Sequence, residues 1–532
     1  MPQQSNPPPY EATLFESLIN AAKEHGNNKD VLEDADRQKL NYRRLILGAL
    51  VLGNRLVQNT SPADTIGVLL PNVTALIVTL FGINAYGRIS ALLNFTAGEH
   101  NLTSAARTAQ LDIIITSKRF VETAKLENVV KALENARRKT PGTEQNNPIK
   151  IIYLEDIRAG IGPLQKLMGL WRSLRPLARQ RATGMKPDTP AVILFTSGTE
   201  GDPKGVVLTN KNLVANAHQI ITHAREHLSA KDIMMNPLPM FHSFGLTAGT
   251  LMPLLNGMKV SLYPSPLHYR EVPKQISRSK ATVLVATDTF LQGFARAAGP
   301  GDLDTVHLVV AGAERVKSRT RKLWKKTGTE IIEGYGATEC APVIACNLPD
   351  NNTQGSVGPL LPQIECRLEP MEGVSNAGRL LVRGPNVMAG YMFAKKPGKI
   401  IPPKDGWHDT GDIVENDGGR ITIKGRAKRF AKIGGEMISL AAVEALVSSL
   451  WPDAPHVVVA TPDPKKGEQL ILVTEQPDAE KAAVLKHARE KGVPELWVPK
   501  AVLIVDTIPV LGSGKVDLKA TQTLAENTHP LL

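Results

Sequence analysis

Residues 196–205 read Thr-Ser-Gly-Thr-Glu-Gly-Asp-Pro-Lys-Gly and follow the apolar run 191–195. A buried strand that empties into hydroxyls, glycines and one lysine suits an anion. Its glycines let backbone N–H groups approach a phosphate, Thr196, Ser197 and Thr199 donate further bonds, and Lys204 supplies charge. The spacing differs from the Gly-x4-Gly-Lys-Ser/Thr loop of the common NTPases, and Gly205 leads into a second strand at 206–208 instead of a helix. A polar hairpin tip is the plain alternative for any single loop of this kind.

Four further segments carry chemistry of a related sort. Gly334-Tyr335-Gly336-Ala337-Thr338-Glu339 follows a strand-like run at 330–332. The glycines permit a tight turn, Tyr335 offers a flat face to a purine, and Glu339 suits Mg²⁺ shared with phosphate oxygens. At 407–412, Asp412 stands after a glycine at a strand end, where a carboxylate accepts both hydroxyls of a ribose. Capping of a turn is its alternative role. The stretch 425–436 is densely cationic and suits a hinge, while Leu511-Gly512-Ser513-Gly514-Lys515 puts one lysine on a glycine loop.

A chain of 532 residues needs more than one core, and its 42% hydrophobic and 21% charged content is that of an ordinary globular protein. The net charge of +12 is uneven: 426–532 holds thirteen cations against thirteen acids, so the excess lies in 1–425. Aromatics are only 5% and no nucleic-acid motif appears, so an acidic protein or an anionic membrane suits this charge better than nucleic acid. Cys340, Cys346 and Cys366 form neither a metal spacing nor a disulfide framework, which points to the reduced cytoplasm. Residues 1–9 are polar and proline-rich, unlike a signal peptide, and the apolar stretch 66–83 is broken by Pro71-Asn72.

The elements that must position these groups read as α/β. Amphipathic helices are expected at 11–26 and 42–58, and β-type runs at 66–70, 113–116, 151–154, 191–195, 259–263, 283–286 and 306–311 alternate with helical ones. Near 356 the texture changes to short strands. The expected organisation is a large N-terminal domain of layered α/β sheets (1–425), with a β-rich subdomain at about 356–424, and a small mobile α+β C-terminal domain (426–532). The last holds helices at 440–450 and 479–491 and strands at 456–461 and 469–474. Residues 140–148 read as a loop.

In this order and spacing the segments resemble the adenylate-forming superfamily of acyl- and aryl-CoA synthetases, peptide-synthetase adenylation domains and luciferases, over roughly 10–523. Segments 239–247, 262–270, 310–314, 425–436, 492–496 and 510–515 are most similar to the synthetase half of the bacterial bifunctional acyl-ACP synthetase/2-acylglycerophosphoethanolamine acyltransferase. The resemblance starts near residue 10, so it implies the ligase and not the lysophospholipid transfer.

That resemblance implies ATP and Mg²⁺ as cofactors, a fatty acid as substrate and acyl-AMP as intermediate. The phosphopantetheine thiol of acyl carrier protein is the implied acceptor, with CoA the alternative. Thr196, Ser197, Gly198, Thr199 and Lys204 would form the phosphate loop, and Glu339 with Thr199 would hold Mg²⁺. Gly334, Tyr335, Gly336 and Thr338, with the Gly312-Ala313-Glu314 turn, would line the adenine, and Asp412 and Arg426 would hold the ribose. Lys515 would bridge the acyl carboxylate and α-phosphate. His242 would position or gate the acyl carboxylate, Phe241, Gly245 and Ala311 would line the acyl tunnel, and Lys428 would be the hinge. A catalytically silent nucleotide- or lipid-binding module is a rival of another class, as is a nucleic-acid binder. The Lys515 and Glu339 that a silent module would lack are both present. Finally, Leu164, Leu167, Met168, Trp171 and Leu174 follow helical spacing beside several cations. This is the pattern of a peripheral contact, through 164–181, with the cytoplasmic face of an inner membrane; packing on the protein body is the alternative.

Overall fold

A computed structural model describes residues 10–136, 138–139, 146–196, 202–370, 377–464, 466–510 and 516–528. The chain divides into two compact units, residues 1–365 with 383–408 and residues 366–382 with 409–532.

The first unit holds two eight-stranded sheets. One runs Val343–Cys346, Glu330–Gly336, Leu308–Ala311, Val283–Ala286, Ile233–Asn236, Lys259–Leu262, Asp30–Glu33 and Lys39–Asn41 in spatial order. The other runs Lys396–Ile401, Gly390–Phe393, Lys204–Thr209, Pro190–Thr196, Ile89–Leu92, Thr65–Val68, Ile113–Thr116 and Lys150–Tyr153. Most interior pairs of both sheets are parallel, for example Ile193 with Ala91 and Val309 with Ile331, whereas Lys204–Thr209 pairs antiparallel with both of its neighbours. Strands covered on both faces are mostly apolar, and several here read as Val/Ile/Leu runs. Val192, Ile193 and Leu194 are fully buried. Helix Thr74–Ala85 is apolar all round and buries Leu76, Ile77, Leu80, Phe81 and Ile83.

A polar network fixes the opening helix, Leu14–His25. Its first N–H groups have no partner inside the helix. The Leu14 and Phe15 amides instead donate to Asn210 Oδ1 (2.9 Å) and Asn84 Oδ1 (3.0 Å), and Thr13 Oγ1 accepts from the Glu16 amide (3.2 Å). Asn84 and Asn210 are wholly buried, and burial without such bonds would be costly.

The second unit contains a sheet ordered Arg420–Arg426, His408–Asp417, Gly378–Arg383 and Glu365–Pro370, then a second sheet and, among the described residues, three α-helices. In that second sheet Gly467–Thr474 lies between His456–Asp463 and Phe430–Ile433, and Ala501–Ile504 joins Gly467–Thr474 in parallel. Helix Leu440–Leu450 is capped by Ser439, whose Oγ accepts from the Ala442 amide (3.3 Å) and donates to the Lys424 carbonyl (2.9 Å). The α/β class, with one large and one small unit, is the class expected above. The small unit takes in 366–382 and 409–425 as well as 426–532.

Candidate active site

The two ends of the candidate phosphate loop, Thr196 and Lys204, stand on paired strands. Strand Pro190–Thr196 pairs antiparallel with Lys204–Thr209, placing Lys204 opposite Thr196 and Gly205 opposite Phe195. Ser197, Gly198 and Thr199 lie outside the described residues. Just before the second of these strands, Asp202 accepts from Ser104 Oγ (3.0 Å), which anchors it.

Lys204 has a neighbour that sequence reading missed. Strand Gly390–Phe393 joins the hairpin, with Tyr391 opposite Val206. The Lys204 ammonium lies 5.4 Å from the Tyr391 ring centre and 5.7 Å from that of Phe393. Both aromatic faces attract the cation. The Tyr391 hydroxyl in turn donates to Glu339 Oε1 at 2.6 Å. One tyrosine therefore links the candidate phosphate lysine to the candidate metal carboxylate. In the sequence Tyr391 sits in Gly-Tyr-Met-Phe, indistinguishable from strand filler.

Glu339 is delivered by the turn after strand Glu330–Gly336. Gly336 needs its hydrogen there, because a Cβ would lie 2.3 Å from the Pro342 carbonyl oxygen. The turn is clamped from three directions: the Ala337 amide donates to Pro342 O (3.0 Å), the Met388 amide to Glu339 O (2.8 Å) and Asn386 Nδ2 to Cys340 O (2.7 Å). Thr338 Oγ1 accepts from Ser243 Oγ at 3.4 Å. A half-buried carboxylate beside hydroxyls is a donor set that fits Mg²⁺, which takes one or two protein oxygens and fills its octahedron with phosphate and water. Tyr335 is only 8% exposed, with its backbone paired to Ala345.

The Gly312-Ala313-Glu314 turn ends the neighbouring strand, Leu308–Ala311. Ala313 adopts φ 65°, and a Cβ on Gly312 would reach 3.0 Å from the Phe244 ring. The Glu314 carboxylate accepts from the Thr289 amide (3.1 Å) and hydroxyl (2.8 Å), at the start of helix Asp288–Ala297.

His242 is exposed, and its ring meets Phe241 edge-on at 4.8 Å. Phe241, Phe95 and Phe120 form a run of edge-to-face contacts with 5.0 Å between centres. The π-helical turn Phe244–Leu251 then packs against the strand end. A Cβ at Gly245 would lie 2.5 Å from Leu238 O, and Asn236 Nδ2 donates to Gly245 O (2.9 Å). Close backbone approach is thus a sufficient reason for glycine at 245, and Ala311 is fully buried. Asn72, which the sequence marks only as a break in the apolar stretch 66–83, accepts the Met240 amide on its Oδ1 (3.0 Å).

In the second unit Asp412 and Arg426 face each other across the antiparallel pair. Asp412 is 5% exposed and Arg426 74%, with Arg426 Nε 3.2 Å from Asp412 Oδ1. Lys428 is exposed in the 3₁₀ turn Ala427–Arg429. The next residue is fixed: Arg429 bonds the Glu444 carboxylate and donates to Val458 O (3.1 Å). Lys515 lies outside the described residues.

Burial pushes the Cys346 thiol up to about 12 and the Cys340 and Cys366 thiols above their usual range. Since the thiolate is the nucleophile, burial makes all three poor nucleophiles.

The AMP-binding enzyme family matches residues 18–392 of the chain. A long-chain-fatty-acid–CoA ligase of Yersinia pestis is 27% identical, over 97% of this chain and 95% of its own. A mitochondrial medium-chain acyl-CoA ligase of Homo sapiens is 29% identical, over 62% of this chain and 56% of its own. Among solved structures, ATP-bound MatB from Rhodopseudomonas palustris superposes with a TM-score of 0.76 at 22% identity, covering 97% of this chain and 99% of its own. O-succinylbenzoate–CoA synthetase of Bacillus subtilis with AMP gives 0.75 at 21%, covering 96% and 98%.

Proposed function

Because the chain belongs to the AMP-binding enzyme family, we propose that it joins a fatty acid to ATP as acyl-AMP and then passes the acyl group to the thiol of CoA. The observation that carries this reading is the convergence of Lys204 and Glu339 on Tyr391, beside the paired strands that bound the candidate phosphate loop.

In the first half-reaction the fatty carboxylate attacks the α-phosphorus, the bond to the β-phosphate bridging oxygen breaks, and pyrophosphate leaves. Charge accumulates on phosphoryl oxygens, so positioning and electrostatics supply the rate. Thr196, Ser197, Gly198, Thr199 and Lys204 hold the phosphates. Mg²⁺, when bound, neutralises phosphate charge; Glu339 and Thr199 would be its protein ligands. Gly334, Tyr335, Gly336, Thr338 and the 312–314 turn line the adenine, and Asp412 with Arg426 holds the ribose. Lys515 neutralises the two anions as they meet, His242 positions the carboxylate, and Phe241, Gly245 and Ala311 border the acyl chain. In the second half-reaction the thiol sulfur attacks the acyl carbon, its proton is lost to solvent, and AMP leaves. Motion of 426–532 about Lys428 would separate the two steps.

CoA replaces acyl carrier protein, the acceptor that the sequence resemblance favours, because the similar long-chain ligases are named for CoA and align over nearly their whole length. Carrier protein stays as the second reading on one observation: Arg315, Lys317, Arg319, Lys322, Lys325 and Lys326 are all exposed, and carrier proteins are acidic. The test is ATP-dependent loading of a fatty-acid panel with CoA and with carrier protein in parallel. Thioester on CoA, with AMP and pyrophosphate released, is expected; thioester on carrier protein alone overturns the acceptor, and no AMP with either overturns the reaction.

A further inference from the structure

Helix Pro163–Ser173 is built inside out. Its start is coded locally: Pro163 occupies the first turn, and Gln165 Oε1 accepts from the Gly162 amide at 3.0 Å. An ordinary surface helix turns its apolar stripe to the core and its polar face to water. Here the residues toward the body are small or polar. Gly169 is buried so closely against helix Tyr42–Leu56 that a Cβ would lie 2.3 Å from Val51 Cγ2. Arg172 Nη1 donates to the Tyr86 hydroxyl at 3.3 Å. The opposite face carries Leu164, Leu167, Leu170 and Trp171, exposed by 65%, 63%, 56% and 71%, with Met168 at 38% and Leu174, just past the helix, at 75%. At about 100° per residue these six fall within one arc of roughly 160°. The alternative raised by the sequence, that this stripe packs on the protein body, does not hold.

Solvated apolar faces of this size mark a binding surface. Charge identifies the partner. Between 164 and 186 there are six Lys/Arg and no acid. Arg175, Arg179 and Lys186 are exposed beyond the helix, and Arg181, 3.6 Å from Glu16, is 73% exposed. An apolar strip with a tryptophan, flanked by cations, matches a surface with acyl chains below and anionic headgroups above. No helix among the described residues is long and apolar enough to cross a membrane, so the contact is interfacial. We propose that the Pro163–Ser173 helix, continued through Leu174, seats the protein on an anionic lipid bilayer. This rests partly on the fatty-acid reading, since such acids partition into bilayers, but binding is scored without turnover and the two stand or fall separately.

The test is flotation of the full chain with vesicles of phosphatidylcholine alone and with phosphatidylglycerol added, at low salt. Wild type should float with anionic vesicles. Trp171→Glu/Leu174→Glu should weaken binding about tenfold or more with an unchanged melting curve, as both side chains are already in water. Arg175→Glu/Arg179→Glu should weaken it while leaving an unchanged elution volume. Three results overturn the proposal: wild type staying at the bottom with anionic vesicles, equal flotation with neutral ones, or a wild-type dimer that the Trp171/Leu174 variant turns to monomer.

Discussion

The hairpin cluster of the large unit and the Asp412–Arg426 pair of the small unit are assembled in opposite ways. Lys204, Glu339 and Tyr391 come from distant points of the chain; Glu339 follows a strand of one eight-stranded sheet, and the other two stand on the second. Nothing local aligns them, so their geometry depends on how the two sheets and the 336–342 turn pack. Asp412 and Arg426 stand on adjacent strands of one hairpin, and the register alone sets them opposite each other. A site made by tertiary packing is sensitive to remote changes, whereas one made by register is robust until the register slips.

Direct loss of the carboxylate should be the largest effect. Glu339→Gln is expected to lower acyl-adenylate formation by about 10²–10³-fold, read as pyrophosphate release, with folding unchanged. A loss near twofold would remove Glu339 from the site. Next comes Asp412→Ala, expected to raise the KM for ATP by about tenfold or more through loss of a charge-assisted contact. Arg426 is already mostly solvated and should not leave an unpaired buried charge behind. An unchanged KM would mean that this pair is only a cross-strand ion pair.

Tyr391→Phe separates the two modes of assembly more finely. It keeps the ring beside Lys204 and removes the hydroxyl that bonds Glu339, so the Mg²⁺ concentration for half-maximal rate should rise about five- to tenfold. The ATP KM at saturating Mg²⁺ should stay close to wild type. Equal shifts in both would show that the tyrosine supports the whole hairpin.

The smallest effect concerns pH and reaches both units. Burial holds His218 and His223, on helix Asn210–His223, and His456 in the small unit below the usual histidine value. The unfolded chain therefore takes up protons near pH 6.5 that the native chain still refuses. Stability is whole above that pH and falls as pH drops through the lowered values. Tm should fall by about 2–4 °C between pH 7.5 and 5.5, and His456→Gln should flatten that dependence. A Tm that rises toward pH 5.5 contradicts the assignment.

Much of the frame was legible because buried parallel strands announce themselves. The runs at 113–116, 191–195, 259–263 and 283–286 all coincide with strands, since a strand covered on both faces is mostly apolar. Ile89–Leu92 is not legible: Ile-Ser-Ala-Leu is too polar to stand out, although all four residues are buried. The neighbouring strands, not its own composition, make it a strand.

The sequence by itself determined the family, the hairpin around 196–204 and the likeness of its motifs to an adenylate-forming ligase, because glycine, hydroxyl and lysine spacing encodes local backbone shape. It also set the local start of helix Pro163–Ser173. Only the tertiary structure decided which face of that helix meets water, that Tyr391 joins Lys204 to Glu339, and that Gly245 and Gly336 are glycines because backbone oxygens crowd them. Each is a contact between residues far apart in the chain. Periodicity reports which residues share a face, but what that face meets is fixed by the packing of everything else.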